Sequence, residues 1–222
     1  MADDEQGAPN MIHARLEVTL NDVSVEATAR TRRNFGSSHL KAANHFADEL
    51  AVHEDTHRGE PFGNQFDKCR WLGSAAFIMS FAAVEAAVDE AQNDLGIVGH
   101  LSEALRSATV LNRAQIVLGL HGAAVFDIGQ APYQPADILR RIRNALVHPQ
   151  VEWSDELDEH KRLSNRIVSL GIPLSPFLPQ PNEAFPLGCN SAAMAKWAVH
   201  TASRFVVELR QRLGLDAKAF TL

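Results

Sequence analysis

The chain has 222 residues, 45% hydrophobic and 22% charged, with a formal net charge of −6. That is the composition of one globular domain able to bury a core, and its sign argues against a broad basic face for non-specific nucleic-acid coating while leaving room for a small basic pocket. Two cysteines, Cys69 and Cys189, are too few for a disulfide scaffold and point to a reducing, cytoplasmic setting.

The first residues, Met1 to Gln6, carry acids and no base, the wrong sign for a secretory signal. The longest uncharged central stretch, Trp71 to Val84, is 14 residues and short for a bilayer span, so no membrane partner is expected. Residues 1–10 read as a disordered leader and residues 11–33 as a β-hairpin appendage. Within the latter, Ala14, Leu16, Val18 and Leu20 alternate, Asn21-Asp22 supplies a two-residue turn, and Val23, Val25, Ala27 and Ala29 alternate again. This register opposes Leu20 to Val23 and puts every apolar residue on one face.

Residues 37–222 read as an all-α helical bundle. A first helix begins near a Ser37 or Ser38 cap, carries Leu40, Ala43, Ala47 and Leu50 inward, and stops at Gly59 and Pro61. Cys69 to Asn93 is apolar on nearly every side, which makes it the central helix, with Trp71 in the core and Glu85, Asp89 and Glu90 as its informative charges. Leu101 to Leu120 gives one helix or two, with Asn112 a possible internal cap and Gly122 a stop. Pro135 suits the first turn of the next helix, which points Ile138, Leu139, Ile142 and Leu146 inward and ends at Pro149. Residues 150–189 form an insert: a peripheral helix over Ser154–Leu170, then a Pro-rich loop outside the core. A closing helix over Asn190–Leu213 buries Met194, Trp197, Ala198, Phe205 and Leu209 before Gly214.

Two motifs compete for the chemistry. The first is Arg143-Asn144-Ala145-Leu146-Val147-His148-Pro149. Arg with His five residues later is expected about 0.7 times by chance in such a composition, and requiring Asn after the Arg lowers this to roughly 0.04. Asn144 and His148, at i and i+4, share a face away from the apolar stripe. Arg143 lies about 140° round from His148 on an ideal helix, but Pro149 disfavours helical geometry at His148, so a long Arg side chain could reach a frayed end. Arg140 and Arg141 add positive charge one turn earlier. The structural alternative is an Arg favouring the C-terminal dipole, with His148 as the cap.

These residues, with the apolar helix that embeds Glu85 and the long closing helix, resemble the HEPN family over about residues 69–213. The resemblance implies an up-and-down helical bundle that cleaves RNA without a metal cofactor in a cleft formed by a homodimer, whose two His148 residues could divide the proton transfers. It implies toxin, defence or RNA-processing roles, with an antitoxin or other regulatory protein as a possible partner. In that scheme Arg143 holds the scissile phosphate. His148 moves a proton to or from ribose oxygen, Asn144 orients phosphate or imidazole, Glu85 holds Arg143 or His148, and Arg140 and Arg141 bind substrate. The product would end in a 2′,3′-cyclic phosphate. A non-catalytic HEPN-like module binding nucleotide, RNA or protein is the alternative.

The second motif, His53-Glu54-Asp55-Thr56-His57, has the form H-E-x-x-H, which on a helix offers two imidazoles to Zn²⁺ and Glu54 as general base. Asp55 between the ligands, and Gly59 and Pro61 within a turn, favour instead a solvated face on which Glu49 and His53 pair. His100 and His121 are candidates to approach the first site but read better as surface residues, as do Arg30, Arg32 and Arg33.

Overall fold

A computed structural model of the chain describes residues 19–20, 23–24, 35–148, 158–178 and 183–222. The leader, most of residues 11–33, the Arg30–Arg33 knot, Pro149 and Trp153 lie outside the described residues. Within the hairpin region, β1 (Thr19–Leu20) pairs antiparallel with β2 (Val23–Ser24), Leu20 opposite Val23.

The stripe Leu40, Ala43, Ala47 and Leu50 recurs at three and four residues, and the helix built on it, α1 (Phe35–Thr56), buries all four. Ser37 is buried inside α1 rather than capping it, because the helix is already formed at Phe35. The central helix, α2 (Gln65–Asp94), packs against α1, α4 (Val110–Leu120), α5 (Tyr133–Val147) and α7 (Ala192–Arg212). It buries Phe66, Phe77, Phe81, Val84 and Val88, each such side chain worth about 1.5–3 kcal/mol when removed from water. By length and composition alone α2 is apolar enough to cross a membrane, yet half of its most apolar window is buried inside the fold.

Charges on a helix surrounded by others need partners, and the four acids in the C-terminal half of α2 each find one on a different element. Glu85 meets Arg143 of α5, Asp89 meets Arg113 of α4, Glu90 accepts the Gly36 N–H of α1 at 3.0 Å, and Asp94 meets Arg210 of α7 at 3.4 Å. They tie the bundle to its central post. Trp71 is not in the core: it is 70% exposed. It lies off the Phe66, Cys69, Gly73, Ala76, Phe77 buried stripe, on the side of exposed Asp67. The helix's high apolar content obscured that phase.

Gly73 faces the chain entering α7. A Cβ there would lie 2.8 Å from Asn190 Oδ1 and 3.3 Å from Asn190 Cα. Asn190 is itself buried, its Nδ2 donating to Pro186 O at 2.8 Å. Gly73→Ala is therefore expected to cost about 1–3 kcal/mol through overpacking, read as a lowered urea midpoint at unchanged slope.

The middle region forms two helices, α3 (His100–Leu105) and α4. The cap of α4 is Thr109, whose hydroxyl accepts the Asn112 N–H, so Asn112 is the capped residue and not the cap. In α5, Ile138, Leu139 and Ile142 are buried and Leu146 is half-buried. The insert helix, α6 (Asp158–Val168), buries Leu163 and Ile167 and is followed by Gly171 at φ +66°.

Among its described residues the Pro-rich stretch after Gly171 contributes to the core, contrary to the expectation from its prolines. Phe177, Ala184, Phe185 and Cys189 are buried. Burial is tolerable because the backbone is satisfied. Ser164 Oγ of α6 accepts the Phe185 N–H at 3.0 Å and faces its carbonyl at 3.3 Å, while the Ser175 N–H donates to Gly188 O at 2.8 Å. These contacts fasten α6 to the turn Ala184–Gly188.

Ser191 caps α7, accepting the Met194 N–H at 3.1 Å. Met194, Ala198, Phe205 and Leu209 are buried, Trp197 packs at the edge of the core, and Gly214 at φ +69° ends the helix. A short 3-10 turn, Lys218–Phe220, then buries Phe220 against Gly36 and the Arg210 guanidinium. The described fold is thus an all-α bundle.

Candidate functional site: a basic cleft between α5 and α6

With Ile138, Leu139 and Ile142 committed to the core, the opposite face of α5 carries Arg141, Asn144 and His148 at three- and four-residue spacing. That face looks onto α6. Between them lies a cleft of about 700 Å³ whose lining includes Arg140, Arg141, Asn144 and His148 from α5 and its cap, and Glu159, His160, Arg162 and Arg166 from α6. Among the described residues, four guanidiniums, two imidazoles and one carboxylate line it, in a chain whose net charge is −6. Such a local concentration of positive charge attracts anions even on an acidic protein.

Asp137 organises the cations. Its Oδ1 accepts from Arg140 Nη2 at 2.7 Å and Nε at 3.0 Å, and its Oδ2 from Arg141 Nε at 2.9 Å, with Arg166 Nη1 of α6 at 3.5 Å. Burial alone pushes this carboxyl up, but the bonds and charges of Arg141 and Arg140 outweigh it and hold it below its ordinary value of 3.8. A depressed carboxyl contributes stability that is present above its unfolded value and is lost as pH falls through the folded one. Asp137→Asn is therefore expected to destabilise the fold by about 1–3 kcal/mol at neutral pH. The difference from wild type should shrink toward zero as denaturation is repeated in increasingly acid buffer.

His148 is exposed at the end of α5, where it caps the helix with φ −122° and ψ 65°, its N–H donating to Asn144 O at 2.9 Å. It leaves helical geometry as the following proline requires. Arg143 goes the other way. Its Nη2 donates to Glu85 Oε2 at 3.1 Å, its guanidinium lies 5.8 Å from the Phe81 ring centre, and its side chain is 23% exposed. Arg143 is not among the cleft-lining residues, so the two ends of the motif do not meet on one wall. The Glu85 carboxylate draws the guanidinium toward α2, so the Arg143 side chain does not bend round to His148. Asn144 links the two sides: its Oδ1 accepts from Arg143 Nη1 at 3.1 Å while the residue lines the cleft. Glu85 thus holds Arg143, Arg143 holds Asn144, and Asn144 faces the cleft beside His148.

The H-E-x-x-H residues are engaged elsewhere. His53 is buried, not solvated, with Nε2 2.8 Å from Gln65 O. His57 Nδ1 lies 3.0 Å from Glu60 Oε1. Glu54 accepts the Ala192 N–H at 2.9 Å, placing a carboxylate at the N-terminus of α7, where the helix dipole favours it. Burial pushes the Glu54 carboxyl up, with that bond and Arg58 partly opposing. Among the described residues no group of three or more His, Cys, Asp or Glu is arranged to hold a metal ion. His100 and His121 are exposed and line no part of the cleft.

Half of the cleft came from α6, which the sequence offered only as a peripheral helix, with Arg162 and Arg166 in its later turns. The available signal was that Glu159, Arg162 and Arg166 recur at three and four residues, a polar stripe adjoining His160. The chain matches no family model, no curated protein and no solved structure.

Proposed function

We propose that this chain is a metal-independent endoribonuclease of HEPN-like type, with its substrate phosphodiester held in the α5/α6 cleft. The observation that carries this reading is the convergence of Arg140, Arg141, Arg162 and Arg166 on one cleft with His148 at its edge. Guanidiniums match phosphate oxygens in shape and charge, and imidazole is the side chain best suited to proton transfer near neutral pH. In this scheme Arg141 and Arg166 grip the phosphate, and His148 exchanges a proton with a ribose oxygen. The Glu85–Arg143–Asn144 chain is a positioning device. Attack of the 2′-OH on phosphorus leaves a 2′,3′-cyclic phosphate, and DNA, lacking that hydroxyl, is not cut. The protein acts as a cytoplasmic homodimer under control of an antitoxin or other regulatory protein, with residues 11–33 as a β-hairpin appendage to the bundle.

Incubating purified protein with matched RNA and DNA oligonucleotides in EDTA tests this. RNA cleavage with cyclic-phosphate ends and intact DNA is the expected result, and cleavage that stops with chelator contradicts it. A second reading, a module that binds RNA or a nucleotide without cutting, is favoured by one feature: Arg143 is turned to Glu85 rather than into the cleft. Binding without cleavage in the same assay selects it.

A further inference from the structure

Among the described residues two histidines line the cleft, and one of them belongs to the Arg-Asn-x-x-x-His motif. His148 stands on the α5 side and His160 on the α6 side. We propose that His160 is the second proton-transfer group of this cleft, acting within one chain together with His148 on the phosphodiester that the arginines hold. The inference rests on the ribonuclease reading above and adds a catalytic residue to it.

The chemistry calls for two groups. As the 2′ oxygen forms its bond to phosphorus, its proton must leave. As the P–O5′ bond breaks on the far side of phosphorus, the departing oxygen must gain one. One imidazole takes the first proton and an imidazolium gives the second, so no proton is gained or lost overall and no redox partner is needed. A single imidazole cannot reach both oxygens of an in-line displacement at once. Two that line one cleft from different helices can divide the work, and here both helices belong to the same chain.

His160 is also built in firmly. Its ring meets Phe185 edge-on, centroids 4.9 Å apart and planes at 69°. Phe185 is 1% exposed, and its backbone is held by Ser164. An imidazole resting on such a wall is oriented before substrate arrives, which is what proton transfer in a fixed geometry requires. Among the described residues, the charged and titratable groups sharing the cleft are Arg140, Arg141 and His148 from α5 and its cap and Glu159, Arg162 and Arg166 from α6, with Asp137 bonded to Arg140, Arg141 and Arg166.

The test uses full-length wild type, His160→Gln, His160→Ala and His148→Ala, each with its melting temperature recorded. Both His160 variants should lose roughly 100-fold or more in RNA cleavage, and His160→Gln should melt as wild type does. The bell-shaped pH–rate profile of wild type should lose one limb in His160→Gln and the other in His148→Ala. An RNA whose 5′-bridging oxygen is sulfur needs no proton on its leaving group, so it should rescue one of these variants and not the other. Mixing His148→Ala with His160→Gln protein should restore nothing, since neither chain has both groups. Cleavage by His160→Gln within about threefold of wild type, while His148→Ala is inactive, overturns the inference and leaves the ribonuclease reading intact. Rescue of neither variant by the sulfur substrate, or recovery on mixing, also overturns it. A wild-type protein that leaves RNA uncut removes the reading on which it rests.

Discussion

His148→Ala is expected to lower RNA cleavage by about 100-fold to 10,000-fold while leaving stability within about 0.5 kcal/mol of wild type. The two halves of this expectation have separate causes. His148 is exposed at the end of α5, and its helix-capping contact is made by its backbone N–H, which alanine keeps. The imidazole contributes nothing to the buried core, so its removal deletes chemistry and little else. Initial rates on a fluorescent RNA in EDTA, paired with thermal melts of the same samples, check both halves. An unchanged rate removes His148 from the reaction, and a melting temperature lowered by many degrees assigns it a structural role instead.

Phe185→Ala is expected to be the most damaging single substitution near the cleft, costing about 3–5 kcal/mol. Total stabilities are commonly only 5–15 kcal/mol, so the variant should unfold at markedly lower urea. The ring is 1% exposed and touches His160, and the residue's backbone is bonded by Ser164 of α6. Its loss leaves a void behind the α6 wall, so RNA affinity should fall together with stability. Trp71→Ala is the contrast. Despite its larger ring, Trp71 is 70% exposed, and its removal should change stability by no more than about 0.5 kcal/mol. A reversed order would mean that the Pro-rich segment is not core.

Those two residues also mark where the sequence could be read and where it could not. Helix existence was legible because apolar residues recur at three and four: Leu40, Ala43, Ala47 and Leu50 in α1, and Ile138, Leu139 and Ile142 in α5, all point where that period sends them. On α2 the same signal weakens, since a helix apolar on most sides has no clear phase, and helix spacing points Trp71 inward where the fold leaves it exposed. Prolines around Phe185 report that the backbone is not regular helix. They say nothing of burial, which Ser164, 21 residues away in sequence, makes possible. The candidate site divides along the same line. Arg141, Asn144 and His148 share a face by local geometry and could be found in one eight-residue stretch. The direction of Arg143 was set by Glu85, 58 residues earlier, and the second wall by the choice of α6 as neighbour. Both are tertiary facts with no local trace.

The most direct test of the α5/α6 cleft as the phosphodiester site is the salt dependence of binding to an uncleavable 2′-O-methyl RNA. It compares wild type with the Arg141→Gln, Arg166→Gln double variant, whose replaced side chains are 47% and 48% exposed and available to solvent-borne ligands. Each phosphate contact on a single strand contributes about 0.7 to the slope of log K against log salt. Wild type should bind with a clear negative slope, and the double variant should bind more weakly with that slope reduced by about 1.4. Equal affinity and equal slope for the two proteins would contradict the cleft as the place where RNA is held.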